Sequence, residues 1–203
     1  MNDLRAYFED LAESWDGRQP PDREEVLRAL LASLAPQLGA SHSILEVGSG
    51  TGALTPCLRE RAHGVSLISI DLAGAMLRLA QQHHPDATVI QADAHCLPFV
   101  ASGFDFVVCH NSFPHFADKL VALHDLARVL QPGGHLLILH DLSRDKVNTV
   151  HRNGGTAIQN DLLPPSEEMV QMLVRAGFSA VQAEDSESRF VVLGCRQENE
   201  DPY

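Results

Sequence analysis

The chain is expected to fold as α/β, with a seven-stranded, mostly parallel sheet, an antiparallel last strand and an N-terminal helical cap. Three observations carry that expectation. From Ser43 onward, short β-rich runs alternate with helical stretches, and such alternation imposes right-handed crossovers and a parallel sheet covered on both faces. A glycine-rich turn, "GSGTG" at 48–52, follows the first of these runs. The last two runs are separated by only a few polar residues. Two strands that close form a hairpin, so one must oppose the rest.

Each element has its own signal. Apolar positions in "LRAYFEDLAESW" recur every three and four residues, predicting a helix. The turn "DGRQPPD" breaks it, and "REEVLRALLASLAPQL" predicts a second. Strands are predicted at "SILEV", "VSLISI", "ATVIQ", "FDFVVCH" and "HLLILH". Helices follow from Gly52, Ala73, His115 and about Ser143, with a short turn near Cys96. The helix "SEEMVQMLVRAG" leads into the closing pair, "FSAVQAED" and "RFVVLGCR". The expected organisation is one domain over 1–203, with a helical cap at 1–40 and an α/β core at 43–196.

Composition narrows the partners. The 203 residues carry 15 Lys and Arg against 27 Asp and Glu, a formal charge of −12. Such a surface repels a phosphate backbone, and no basic cluster offsets it, so nucleic acid is not an expected partner. No apolar run reaches the length of a membrane span, and the acidic, amphipathic N-terminus does not read as a leader. A membrane is therefore not expected either. The cysteines (Cys57, Cys96, Cys109, Cys195) form no C-x-x-C pair, so reduced thiols in a cytoplasm are expected.

The glycine loop admits two readings. Gly48, Gly50 and Ala53 satisfy a dinucleotide fingerprint, and Asp71 lies where a ribose-binding acid belongs. Three features oppose it. Glu46, two residues before the first glycine, suits a cationic ligand and repels a pyrophosphate. About forty helical residues precede the first strand, and the sheet ends in a hairpin rather than a second mononucleotide-binding half.

The ordered set of motifs resembles the class I S-adenosylmethionine-dependent methyltransferases, near the ubiquinone/menaquinone C-methyltransferases. "YFEDLAESWD" is similar to that family's cap helix, "LEVGSGTG" to its first motif and "SIDLAGAMLRLA" to its second. "QADAHCLPF", "GFDFVVCHNSFPHF" and "ALHDLARVLQPGGHLLI" are similar to the next three, with "LVRAGF" before the terminal hairpin. The resemblance implies a Rossmann-like fold, S-adenosyl-L-methionine as cofactor and methyl transfer to a small-molecule substrate. It implies that Glu46 and the backbone of Gly48, Ser49, Gly50 and Gly52 surround the methionine part. Asp71 would hold the ribose hydroxyls, Leu72 and Met76 the adenine, and Asp93 with Ala94 the adenine amino group. Tyr7 and Trp15 would close the cap, against the alternative that they are simply the core face of a helix.

The acceptor must come from what lies beyond the methyl group. A sulfonium is already an activated leaving group, so a base is needed only where the acceptor loses a proton. His110 and His140, ending the fourth and fifth strands, are the catalytic candidates, with His110 also near the cofactor. His115, Arg144, Asn148 and His151 are candidate substrate contacts. The last three share one helical stripe, which otherwise reads as a solvated face. Four histidines at one mouth raise an alternative, a bound metal or a metal- or tetrapyrrole-containing acceptor. Another alternative is a non-catalytic S-adenosylmethionine-binding sensor. The loop "NGGTAIQNDLLPPS" reads equally as a lid hinged at Gly154–Gly155 or as an ordinary connection.

Overall fold

The computed structural model describes residues 2–34, 36–61 and 64–198. The seven strands are β1 (Ser43–Val47), β2 (Ser66–Asp71), β3 (Thr88–Gln91), β4 (Phe104–His110), β5 (Leu130–His140), β6 (Phe178–Asp185) and β7 (Phe190–Arg196). They form one sheet in the order β3-β2-β1-β4-β5-β7-β6. β7 pairs antiparallel with both β5 and β6, and every other pairing is parallel. The expected antiparallel last strand is therefore inserted between β5 and β6 rather than set at the edge.

The helices are α1 (Asn2–Trp15), α2 (Arg23–Leu34), α3 (Thr55–Arg61), α4 (Gly74–His83), α5 (Lys119–Val129), α6 (Arg144–Asn153) and α7 (Ser166–Arg175). Three helix boundaries moved by more than two residues from their predicted places. α2 ends at Leu34, and a 3-10 turn over Pro36–Ala40 replaces the rest; a proline inside the predicted helix cannot donate to its ladder. α3 starts at Thr55, not Gly52, because turns occupy 50–54. α5 starts at Lys119 rather than His115, capped by the Asp118 carboxylate on the amides of Leu120 and Val121.

Side chains alternate across the sheet, so neighbouring residues enter different cores. Leu45, Val47, Val107 and Cys109 join α5 and α7 in one cluster. Ile44, Phe106 and Val108 join Leu27 and Leu31 of α2 and Leu58 of α3 in another. α2 thus packs mainly into the core beside α3, and α1 lies elsewhere. Its Phe8, Leu11, Ala12 and Trp15 pack on Ala73 and Met76 at the start of α4. Among the described residues no helix is long and apolar enough to cross a membrane, and all four cysteines are free.

Candidate active site

Strand order reverses between β1 and β4, and in an open parallel sheet such a switch point opens a crevice at the strands' C-terminal ends. A cavity of about 330 Å³ occupies it, lined by Val47, Asp71, Ala92 and His110 at or just past the ends of β1 to β4. Gly48, Ser49, Gly50, Leu72, Met76, Asp93, Ala94, His115 and Trp15, all candidate site residues from the sequence, also line it. Tyr7, Glu46, Gly52, His140, Arg144, Asn148 and His151 do not.

The glycine loop turns on backbone bonds. The amides of Gly48 and Ser49 donate to the Ile70 carbonyl at 2.8 and 2.9 Å. Asp71 is fixed at the end of β2, accepting from Gly50 N at 2.8 Å and Ala73 N at 2.9 Å. Burial raises its pKa, opposed by those same two amides. Two of the glycines serve different purposes. At Gly48 (φ +72°) a Cβ would sit 2.3 Å from Ser112 Cβ, so it is protein that approaches there. At Gly50 (φ +56°) the nearest atom to such a Cβ is Trp15 Nε1 at 3.9 Å, and the residue opens on the cavity.

Glu46 was expected to face the ligand, and the structure corrects this. Its carboxylate lies beneath the loop, accepting from Ser69 Oγ at 2.7 Å and Thr55 Oγ1 at 3.2 Å. Burial pushes its pKa up to about 7, against those two hydroxyl bonds. Gly52 is likewise displaced from the cavity, its carbonyl held by His84 Nε2 at 3.1 Å.

The cap reaches the cavity through α1, which presents Leu4, Phe8 and Trp15. Tyr7 is turned aside and packs edge-on against Phe8, centroids 5.2 Å apart. One residue along a helix is a rotation of about 100°, enough to exchange an inward for a lateral position. Glu9 fixes the helix by accepting from the first amides of α4, Gly74 N and Ala75 N, both at 2.8 Å. From α2 only Arg23 enters the lining, the one Lys or Arg among the described lining residues.

The β4 and β5 ends are arranged differently. His110 is buried against the cavity, its Nε2 3.6 Å from the Asp141 carboxylate, beyond hydrogen-bond reach. Burial lowers its pKa. The Asp141 carboxyl stays well below the usual carboxylate range: burial raises it, but His110, the 2.8 Å bond from Asn111 and the charge of Arg23 outweigh that. His140 does not reach the cavity; it is 1% exposed, behind the sheet end beside Phe190. Burial, reinforced by His110, pushes its pKa down to about 3.

His115 does line the cavity, and its Nδ1 lies 2.8 Å from the Asp161 carboxylate, which lines it too. The predicted α6 stripe exists but does not reach the cavity. Arg144 pairs with Asp185 at 3.0 Å on the surface. Asn148 exchanges two buried bonds with the Leu163 backbone, at 2.8 and 3.1 Å. His151 Nδ1 bonds the Asp161 carbonyl. Phe8, Arg23 and Asp161 were not anticipated. The stripe Leu4–Phe8–Trp15 was legible as periodicity. Nothing local marks Arg23 or Asp161.

Four buried polar side-chain atoms apart from the backbone have no hydrogen-bond partner among the described residues: Arg23 Nε, Ser49 Oγ, His110 Nε2 and His140 Nε2. Three of those residues line this cavity. Buried polar atoms are nearly always paired, so the cavity is built for a ligand with polar and charged groups of its own. No three His, Cys, Asp or Glu side chains are grouped as metal ligands among the described residues.

Residues 45–138 match the family model described as a methyltransferase domain. The chain is 39% identical over 104 residues to the demethylmenaquinone methyltransferase of Thermus thermophilus, covering 49% of this chain and 47% of that protein. It is 28% identical over 182 residues to the ubiquinone/menaquinone biosynthesis C-methyltransferase of Blochmanniella pennsylvanica, covering 75% and 71%. The chain spans about half the length, or less, of the first curated relatives it matches. Likeness in fold to solved structures extends over most of the chain. An S-adenosylmethionine-dependent methyltransferase structure from Aquifex aeolicus superposes with a TM-score of 0.70 at 20% identity, covering 94% of this chain and 97% of that one.

Proposed function

We propose that the protein transfers the methyl group of S-adenosylmethionine to a small-molecule acceptor. One observation carries the reading: a carboxylate locked by two amides at the end of β2 faces a cavity that also holds three orphaned buried polar atoms. The donor set fits this cofactor. With one amide bond on each oxygen, Asp71 keeps lone pairs for two vicinal hydroxyls. Arg23 offers a guanidinium to the methionine carboxylate, and Ser49 an unused hydroxyl. Leu72, Met76 and Ala94 make an apolar slot for the adenine, and Asp93, whose Oδ1 already holds His95, keeps its other oxygen for the amino group. Gly50 admits backbone contact, and Phe8 with Trp15 closes the top. When bound, the cofactor supplies a methyl group already activated by its sulfonium.

The apolar and aromatic lining by Leu4, Phe8, Trp15 and Phe116 suits an aromatic acceptor, in keeping with relatives named demethylmenaquinone methyltransferase. The free cysteines support a cytoplasmic setting.

Calorimetric titration with S-adenosylhomocysteine, with NAD as control, tests the reading. Binding of the first alone is expected. Asp71→Ala should weaken it by about 1.5–3 kcal/mol, the value of hydrogen bonds to a charged group. Binding of NAD in its place would return the glycine loop to the dinucleotide reading.

A further inference from the structure

We propose that His115 and Asp161 form a general-base dyad, and that the acceptor is an aromatic hydroxyl compound, a phenol, catechol or hydroquinone, that must lose its proton as it is methylated. The inference rests on the methyl-transfer reading and adds the reacting group and the acceptor class.

Geometry separates His115 from the other histidines. His140 lies off the cavity. His110 lines it, but its buried Nε2 faces Asp141 at 3.6 Å, an ion-pair distance too long for the hydrogen bond that would orient the ring. His95 lines it with Asp93 on its Nδ1, but its Nε2 already accepts from the Asp118 amide at 3.1 Å. Among the described lining histidines, His115 combines a carboxylate hydrogen-bonded to one nitrogen with an unoccupied second one. The 2.8 Å contact to Asp161 commits Nδ1 as the donor, so Nε2 carries the free lone pair, and the facing carboxylate stabilises the cation formed when Nε2 takes a proton. The dyad is also held in place. Lys119 Nζ donates to the carbonyls of Pro114 and Phe116, clasping the 3-10 turn that carries His115. The Phe8 ring meets the imidazole edge-on at 4.9 Å, and His151 lies tilted against it at 4.7 Å.

The carboxylate has its own scaffold. Asn148 pins Leu163, and His151 pins the Asp161 carbonyl, from one face of α6. Two members of the polar stripe of α6 therefore act through the 154–165 segment: Asn148 and His151 are positioning residues for Asp161, while Arg144 pairs with Asp185. The charged and titratable groups whose charge couples to the dyad are Asp71 from β2, His140 from β5, His151 from α6 and, through Asp161, Lys119 from α5.

The step balances. The acceptor's O–H proton passes to His115 Nε2. The electron pair released on oxygen, or on the ring carbon conjugated with it, forms the new bond to the methyl carbon. The carbon–sulfur pair departs with sulfur, so a sulfonium becomes a neutral thioether while an imidazolium forms beside Asp161. For attack through carbon, the ring hydrogen leaves to solvent as a proton when aromaticity returns, and the imidazolium gives its proton back to the acceptor oxygen.

The test uses 4-nitrocatechol, whose phenol and phenolate differ in colour, added to the full chain saturated with S-adenosylhomocysteine. The bound probe should ionise about one pH unit or more below its midpoint in water, because the dyad accepts its proton. His115→Asn and Asp161→Asn should bind S-adenosylhomocysteine normally but lose that shift. With S-adenosylmethionine, His115→Asn should lower kcat for the probe about 10²–10⁴-fold, the usual worth of a positioned base. A probe that binds without ionising, that fails to bind, or that ionises equally in His115→Asn overturns the dyad while the cofactor reading stands. Failure of S-adenosylhomocysteine itself to bind overturns both.

Discussion

The two ends of the cavity are built by different means. At the β1–β2 end the parts are backbone: amides of the glycine loop, an Ile70 carbonyl, and a carboxylate anchored by main-chain N–H groups. The residues that matter there sit within about twenty-five positions of one another. At the β4–β5 end the parts are side chains from distant segments, with His115 meeting Asp161 across 46 residues and Asn148 reaching Leu163. A backbone-built site tolerates change in most side chains but not in the few that set its path. A side-chain site can be retuned by single substitutions while the frame stays intact. The first suits a ligand shared by many enzymes, and the second suits an acceptor that differs among them.

Glycine substitutions test the backbone-built end most severely. In Gly48→Ala the new methyl would meet Ser112 Cβ at 2.3 Å, and the residue would be held at φ +72°. Overpacking and a left-handed backbone together should cost about 3–5 kcal/mol of folding stability. Ser112 cannot easily yield, because its hydroxyl donates to the Val47 carbonyl at 2.7 Å. Gly50→Ala carries the left-handed penalty without the clash, so its loss should be about 1–2 kcal/mol. Thermal unfolding of both variants decides the matter: equal losses would mean that Ser112 does not set the loop's path.

A smaller effect should come from the carboxyl beneath that loop. Glu46 ionises near pH 7 when folded, against an ordinary 4.5. Between those values the folded chain holds a proton that the unfolded chain has released, so stability falls as pH rises through the window. The loss should approach about 3 kcal/mol above pH 7. Glu46→Gln keeps an oxygen for Ser69 and Thr55 but has nothing to ionise. Denaturant titrations at pH 4.5 and 8 should show the variant gaining on the wild type by about that amount. A difference that stays flat with pH would mean that solvent or a neighbouring cation relieves the burial.

The same division explains what could be read from the sequence. All seven strands were legible, because each is a short β-rich run between turn signals, and so was Asp71, which follows directly from the end of its strand. The errors at the loop came from treating position in a motif as direction. Glu46 is two residues from Gly48, but strand alternation turns it under the loop, and Tyr7 is one helical step from the inward Phe8. At the other end the α6 stripe was correctly seen as one face. Its target was missed because periodicity tells which residues share a side, not what stands opposite. Asp161 lies in an irregular segment, and only the fold brings it to His115.

Asn148→Ala probes the side-chain end. Both of its bonds to Leu163 are buried, so removing the amide leaves a donor and an acceptor unpaired, at a cost of about 1–3 kcal/mol. Leu163 is itself buried and should keep the segment's far end in place. What should change is the precision with which Asp161 meets His115, because His151 alone would then hold that stretch from α6. S-adenosylhomocysteine affinity should therefore remain within about twofold of wild type, since a change at one independent site adds little at another. Turnover should fall through kcat rather than KM. If affinity for S-adenosylhomocysteine fell in step with kcat, the two ends would be one cooperative unit, and a frame that is separate from the acceptor site would have to be given up.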